Sequence, residues 1–440
     1  MNTVRKLLVV RRLKKNLYNM STEEIIRHQG DRVRIMGEFV KKNSPYYRAI
    51  LKDVEYFSVS SFMKMDKSTM MENFDSINTR KLKKAELLEF AINREGSNSM
   101  DLFRNEYSVG MSSGTSGNRG LTVLSKDEMA QYSCLLWARN GIPEKIRKKR
   151  ILFALRINSP AFMEVRKFGV KIIYVDYTHP VRDLIDKINE EKLNILAGPP
   201  SLLSMISRER KRIKHDIDCI ISYAEVLTDT VNAFLRDSFD APVIQIYQGS
   251  EGFIGTTCRE GNLHINEDVL LVNLEDIPNS DDDAKRVIVT DLYRTTQPIL
   301  NYQLNDLVEP GDINCPCGSS FRTIKRIHGR MDDVFILRGP DEDRRYLFPD
   351  YVRRSIISAS GRITSYQAIQ HDVDKIEIRL VVEPGSGIDE IRNSVLYNLH
   401  HRAEKIGGIL GDVEFSDSTP QPNPRSGKMI RVVREYKEDI

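Results

Sequence analysis

Long apolar runs are missing from this chain. Nowhere in its 440 residues do 18 or more apolar residues follow one another, which argues against a membrane-spanning helix. A large excess of one charge is missing too. Lys and Arg total 66 against 62 Asp and Glu, and a net charge of +4 offers nucleic acid no strong electrostatic footing. Cysteine is sparse, at five residues. The first segment, Arg5-Lys6-Leu7-Leu8-Val9-Val10-Arg11-Arg12-Leu13-Lys14-Lys15, has too short an apolar core for a signal peptide, and no small-residue cleavage site follows it. The expectation is a cytoplasmic protein whose cysteines are thiols or metal ligands rather than disulfides. The same segment is basic and amphipathic. That suits a helix docked on the protein surface, with transient membrane contact as the lesser alternative.

What is present is the composition of a globular protein, 40% apolar and 29% charged, in a chain longer than one core usually serves. Residues 1–95 read as mostly helical, with a helix start at Ser21-Thr22-Glu23-Glu24. Between 96 and 330 the pattern changes. Apolar runs at Ile151–Ile157, Val170–Val175, Asn194–Ala197, Cys219–Ser222 and Val243–Tyr247 read as buried strands, with helical patterns such as Pro180–Glu191 and Thr228–Phe239 between them. This alternation predicts an α/β fold with a mainly parallel sheet, whose ligands collect at the carboxyl ends of the strands. Residues 331–440 read as a smaller α+β domain, with helices over Tyr351–Ser358 and Glu390–Lys405 and an alternating strand over Lys375–Val382. The boundary between the two is expected near Arg330.

Ser112-Ser113-Gly114-Thr115-Ser116-Gly117-Asn118-Arg119-Gly120 packs hydroxyls and glycines into one loop. Glycines let backbone N–H groups close on an anion, and hydroxyls add donors for phosphate oxygens. Alone, the loop reads equally well as a flexible linker. Further on, Tyr247-Gln248-Gly249-Ser250-Glu251 follows a strand candidate. Tyr247 offers an aromatic face to a purine, and Glu251 a hard oxygen ligand to Mg²⁺. Cys258, His264, Cys315 and Cys317 form a separate group. Three thiolates and one imidazole fill a tetrahedral Zn²⁺ shell with no open position, so the expected site is structural; unrelated buried thiols are the alternative. Cys134 and Cys219 lie in apolar runs and are expected in the core. His328 reads as a solvated loop histidine, with an orientation toward the active site as the alternative.

Taken in order, these segments resemble the adenylate-forming superfamily, and within it the phenylacetate–coenzyme A ligase branch with its capsule-biosynthesis and deazaflavin-coenzyme synthetase relatives. The phosphate loop follows the family pattern from Ser112 to Gly117; Asn118 and Arg119 stand where Lys and Pro are usual, which leaves Arg119 as the cation near the β- and γ-phosphates. Ser222-Tyr223-Ala224-Glu225-Val226-Leu227 resembles the segment that lines the adenine, through Ala224 and Glu225. Tyr247, Gln248, Gly249, Ser250 and Glu251 resemble the family's Tyr-Gly-x-Ser/Thr-Glu. The segment Pro298 to Asp306 keeps the aspartate that takes the ribose hydroxyls, while Asn301 and Asn305 replace Arg and Gly. Gly329-Arg330-Met331-Asp332-Asp333 resembles the hinge segment, which implies that Arg330 reaches the nucleotide and that Asp332 is the pivot. Pro424-Arg425-Ser426-Gly427-Lys428 resembles the superfamily's ending, in which Lys428 bridges the carboxylate and the α-phosphate.

The resemblance implies ATP and Mg²⁺, a small-molecule carboxylate, and an acyl-adenylate formed with loss of pyrophosphate. Transfer to a thiol would follow, coenzyme A or a carrier protein, after the mobile small domain turns about Asp332. Lys428, Arg330 and Glu251 are the implied catalytic residues. Two further readings stay open. One moves AMP onto a hydroxyl or phosphate of a cofactor or sugar. The other is a nucleotide-binding protein without turnover, motivated by Asn118, Asn301 and Asn305. The acyl pocket is expected near Arg156–Pro160 and Gly198–Pro200. Nothing in the sequence selects between a monomer and a dimer.

Overall fold

The computed structural model describes the whole chain except residues 2, 98–99, 112–119, 155–169, 177–178, 278–282, 313, 342, 424–428, 437 and 439–440. The N-terminal part is helical: α1 (Thr3–Asn19), α2 (Thr22–Asn43), α3 (Pro45–Ile50), α4 (Lys67–Glu72), α5 (Phe74–Ile77) and α6 (Lys84–Ser97). Ser21 starts α2 as its sequence predicts. The Glu24 N–H donates to its hydroxyl at 3.2 Å, and the Ser21 N–H donates back to the Glu24 carboxylate at 2.9 Å. Spacing decides which side of α1 is covered: Val10, Leu13 and Leu17 point inward.

β1 (Tyr107–Met111) and β2 (Leu121–Ser125) pair antiparallel on either side of residues 112–119, and α7 (Lys126–Ala138) follows β2. The large sheet is 11-stranded. Its strands are β3 (Arg150–Ala154), β4 (Lys171–Val175), β5 (Ile195–Gly198), β6 (Cys219–Ser222), β7 (Val243–Gln248), β8 (Phe253–Thr257), β9 (Leu263–Ile265), β10 (Leu270–Asp276), β11 (Lys285–Asp291), β12 (Tyr302–Pro310) and β13 (Thr323–Arg330). The helices α8 (Val181–Glu191), α9 (Pro200–Arg208) and α10 (Asp229–Phe239) cross over between its parallel strands. Across the sheet the order is β10-β11-β12-β13-β9-β8-β7-β6-β5-β3-β4.

The expected α/β fold is present, and the expectation of a mainly parallel sheet holds for half of it. Pairings from β4 through β3, β5 and β6 to β7 are parallel. From β7 through β8, β9, β13, β12 and β11 to β10 they are antiparallel. Connection length is part of the reason. Parallel neighbours need a crossover, which the helices supply; β7, β8 and β9 are joined by short turns that return antiparallel, whereas β13 joins β9 across three intervening strands, a pairing that only the packed fold selects. The parallel half carries cores on both faces, one around Leu152, Leu184, Leu203 and Leu235 and one around Ile151, Ile195 and Ile221. The antiparallel half is covered by the N-terminal helices, with Met36, Tyr47, Phe74 and Leu87 packed on Val272, Val289 and Leu300.

The C-terminal part has its own core, including Phe335, Val352, Ile378 and Val395. It contains the hairpin β14 (Phe335–Arg338) and β15 (Arg344–Leu347), and then α11 (Pro349–Ile357). A four-stranded sheet follows, made of β16 (Ile363–Asp372), β17 (Lys375–Val382), β18 (Asp412–Ser416) and β19 (Val432–Arg434), with α12 (Ile388–Lys405) against it. It meets the large sheet through an apolar cluster of Leu307, Ile277, Val334 and Phe348. His328 lies in this contact and is fully buried, its ring 5.4 Å from that of Tyr351 and 5.7 Å from that of Phe348. The expectation of a solvated loop is therefore corrected: His328 sits on β13, and α11 covers it. Gly329 makes the approach feasible. Its φ is +127°, and a Cβ there would lie 3.0 Å from the Pro349 ring. Among the described residues no helix is long and apolar enough to cross a membrane.

Candidate active site

Three segments converge where the parallel and antiparallel halves meet the C-terminal part. Strands β12 and β13 place Asp306 directly opposite Arg330. Strand β7 brings Tyr247 alongside, and its hydroxyl donates to the Asp306 carboxylate at 2.9 Å. The Arg330 guanidinium lies 4.0 Å from the other Asp306 oxygen. Burial pushes the Asp306 carboxyl up from its ordinary value, against the pull of Arg330 and of the Tyr247 hydrogen bond. Burial and the neighbouring Asp306 charge also push Tyr247 well up, so it remains a neutral donor. The result is a fixed, oriented carboxylate with a phenol and a guanidinium at its sides, an arrangement that suits binding a diol.

Ala224 follows β6 with φ +68°, a left-handed turn that exposes backbone next to the strand end. Glu225 is otherwise engaged. Its carboxylate accepts from the Ser201 N–H at 3.2 Å and the Ser201 hydroxyl at 3.0 Å, at the start of α9. The Gln248 side chain accepts from the Tyr132 hydroxyl at 2.6 Å, which ties the end of β7 to α7. Glu251 turns back over Gly249, its carboxylate 2.7 Å from where a Cβ on that glycine would sit. A side chain at 249 would displace it.

Two further charged residues belong here that sequence patterning does not single out. Lys67, the first residue of α4, is half-buried beside Glu251, Arg330 and Asp332. Burial pulls its pKa down, reinforced by Arg330 and opposed by Glu251 and Asp332. Arg294 is buried, donating to the Ser250 carbonyl at 2.7 Å and to the Gln297 side chain at 2.7 Å. Gln297 in turn accepts from the Val123 N–H at 2.9 Å and donates to the Leu121 carbonyl at 3.0 Å. Glu128 accepts from the Thr295 and Thr296 N–H groups at 2.7 and 2.8 Å. This network ties β2 and the start of α7 to the Ser250–Glu251 turn. Its one legible signal is the capping pattern Ser125-x-x-Glu128. The other partners are too far apart in the chain to announce each other.

No family model matches the chain. It is 24% identical over 429 residues to Protein CapK of Staphylococcus aureus, covering 93% of this chain and 89% of that protein. To the phenylacetate-coenzyme A ligase of Escherichia coli (strain K12) it is 26% identical over 170 residues, 37% of this chain and 36% of that one. Among solved structures, 2-hydroxyisobutyryl-CoA ligase in the postadenylation state with R3-HIB-AMP superposes with a TM-score of 0.69 at 14% identity, over 95% of this chain and 91% of the other. The same ligase in the thioesterification state superposes with a TM-score of 0.56. Over most of its length the chain is similar to Protein CapK, over about a third of it to a phenylacetate-coenzyme A ligase, and it shares the fold of 2-hydroxyisobutyryl-CoA ligase.

Within this fold, the junction after β13 links the two parts of the molecule. The Asp332 N–H donates to the Asn305 side chain on β12 at 3.3 Å, while its carbonyl accepts from Arg434 on β19 at 3.4 Å. Beside it, burial raises the Asp333 carboxyl to about 7 despite the nearby Arg330. Asn301 turns with φ +48° and donates to the Phe62 carbonyl at 2.7 Å, a structural link to the helical part. The residues Ser112, Ser113, Gly114, Thr115, Ser116, Gly117, Arg119 and Lys428 lie outside the described residues, as does the Arg156–Pro160 stretch of the expected acyl pocket. The structure places Tyr247, Glu251, Asp306 and Arg330 in one cradle, with Gln248, Gly249 and Ser250 as its turn and Ala224 at a neighbouring strand end.

Cys258, His264, Cys315 and Cys317 come together at the far end of β13, their ligand atoms all within 4.8 Å of one another. His264 pairs with Thr323, and its Nδ1–H donates to the Phe321 carbonyl at 2.7 Å, which leaves Nε2 facing the thiols. The Cys317 sulfur lies 3.4 Å from that nitrogen, and the Cys258 and Cys315 sulfurs are 3.7 Å apart. Burial pushes the Cys315 thiol up. Hydrogen bonds from the Cys317 N–H, His264 and Asn262 outweigh that and bring it down to about 6. The other two cysteines, Cys134 and Cys219, are buried in the core as expected.

Proposed function

We propose that the protein uses ATP to activate a carboxylic acid as an acyl-adenylate and passes the acyl group to a thiol, coenzyme A by preference. The Tyr247–Asp306–Arg330 cradle carries this reading, on a chain that follows, over 95% of its length, the fold of a CoA ligase solved with R3-HIB-AMP. In the proposed step a substrate carboxylate oxygen bonds to the α-phosphorus, and the bond to the pyrophosphate oxygen breaks with its electron pair. No proton need move, so positioning and charge stabilisation do the catalysis. Asp306 takes the ribose hydroxyls and Tyr247 flanks the purine. Arg330 and Lys428 meet the charge that builds on the α-phosphate. The 112–119 loop, with Arg119, holds the β- and γ-phosphates. Glu251 is the residue that would hold Mg²⁺, which neutralises triphosphate charge when bound.

Residues 1–95 and 96–330 form the large domain in this proposal, and 331–440 the mobile lid, which turns about Asp332 before the thiol attacks the acyl carbon and AMP leaves. The bonds of Asp332 to both parts support that pivot. Cys258, His264, Cys315 and Cys317 have the donor set and the oriented imidazole of a closed structural Zn²⁺ site. The protein is placed in the cytoplasm.

ATP–pyrophosphate exchange over a panel of carboxylic acids tests the reading. Exchange that depends on one acid supports it. AMP stably attached to a hydroxyl or phosphate product overturns it in favour of adenylyl transfer, and ATP binding without turnover on any acid overturns it in favour of a non-catalytic relative.

A further inference from the structure

The outward face of α1 has no role in the proposed reaction, and its composition is unlike the rest of the surface. The helix is firmly anchored by its other face. Val10 and Leu13 pack on Cys134, Leu135 and Phe253, and Leu17 on Phe321. The buried Arg139 donates to the Leu13 carbonyl and pairs with Asp268 at 3.0 Å, and the Asn16 side chain donates to Asp268 at 3.0 Å. The exposed side is therefore a settled surface. Yet Val4, Leu7 and Leu8 are 67%, 55% and 62% exposed there. At helical spacing they share a face with Arg11, Arg12 and Lys15, which are also exposed. The helix holds six Lys and Arg and no Asp or Glu, whereas the whole chain carries only +4, so the remainder of the protein is slightly acidic.

We propose that this face of α1 seats the protein on an anionic lipid surface, with Val4, Leu7 and Leu8 entering the headgroup boundary and Arg11, Arg12 and Lys15 meeting lipid phosphates. A helix lying flat with aliphatic residues beside a cationic row is what such an interface takes. A nucleic acid would meet the cations but leave three aliphatic side chains against a polar backbone. A second copy of the chain would set the same cations against themselves across a two-fold contact.

The test is co-sedimentation of the full chain with phosphatidylcholine vesicles, with and without roughly one-third phosphatidylglycerol, at low and high salt. The expected result is binding only to the anionic vesicles, weakened by salt. The double variant Leu7→Glu/Leu8→Glu and the triple variant Arg11→Glu/Arg12→Glu/Lys15→Glu should each reduce binding about tenfold or more. Both should keep the parent's melting temperature and pyrophosphate exchange. Should the leucine variant melt early, the cationic variant alone decides. No binding to anionic vesicles, or binding that neither variant reduces, overturns the proposal. So does a concentration-dependent dimer that the leucine variant abolishes, which would assign the face to a second copy.

Discussion

One strand carries two sites of opposite character. At its start, β13 pairs Thr323 with His264, and the cysteine cluster closes there around buried or half-buried ligands. At its end the same strand pairs Arg330 with Asp306, and the side chains stand partly open, Arg330 46% and Asp306 28% exposed. The closed end is built from the turn after β8, from His264 on β9 and from the connection between β12 and β13, which a metal would hold together. The open end is assembled from β7, β12, β13, α4 and the junction to the C-terminal part, elements that only the whole fold unites. Under the proposed function this is a division of labour, in which one end of β13 would hold shape and the other would do chemistry.

Substitutions at the two ends should therefore separate activity from stability. The largest effect is expected at Lys428→Ala, with pyrophosphate exchange falling about a hundredfold or more while metal content and melting temperature stay at parent values. Full exchange in that variant would remove the catalytic end of the comparison. Asp306→Ala should lower kcat/KM for ATP by about ten- to a hundredfold, again with metal retained, because the fixed acceptor proposed for the ribose is lost. Steady-state kinetics with varied ATP measures it.

Cys317→Ser should do the reverse. Metal analysis should show the zinc lost and melting should fall by roughly ten degrees, while KM for ATP changes less than about threefold. A variant that kept its melting temperature but lost ATP binding would break the division outright. The smallest effect concerns the junction. In the folded protein Asp333 holds its proton up to about 7, against 3.8 for the ordinary carboxyl. Between those values the folded state binds more protons, so this group costs stability as pH rises, and the cost is complete above about 7. Asp333→Asn should thus raise the melting temperature by a few degrees at pH 8 and leave it unchanged near pH 4. Equal shifts at both pH values would show that the burial does not act through the charge.

Local signals made much of this molecule legible. The capping box at Ser21 and Glu24, the strand at Cys219–Ser222, the helix up to Lys405 and the core placement of Cys134 and Cys219 all follow from spacing within a few residues. The cysteine cluster was legible from residue type alone, because only a few side chains make a tetrahedral shell. Glu225 was less so. Its place in the resemblance is right beside Ala224, but its carboxylate is taken up at the start of α9.

By itself the sequence determined several of the strands and helices and which chemical groups are available, since these depend on periodicity and residue type. Only the tertiary structure decided that the sheet turns antiparallel after β7, that His328 is buried under α11, and that Lys67 and Arg294 stand beside Glu251 and Ser250. Each of these rests on pairings between residues far apart in the chain. No local pattern encodes them, because the free energy that selects them comes from packing whole elements together.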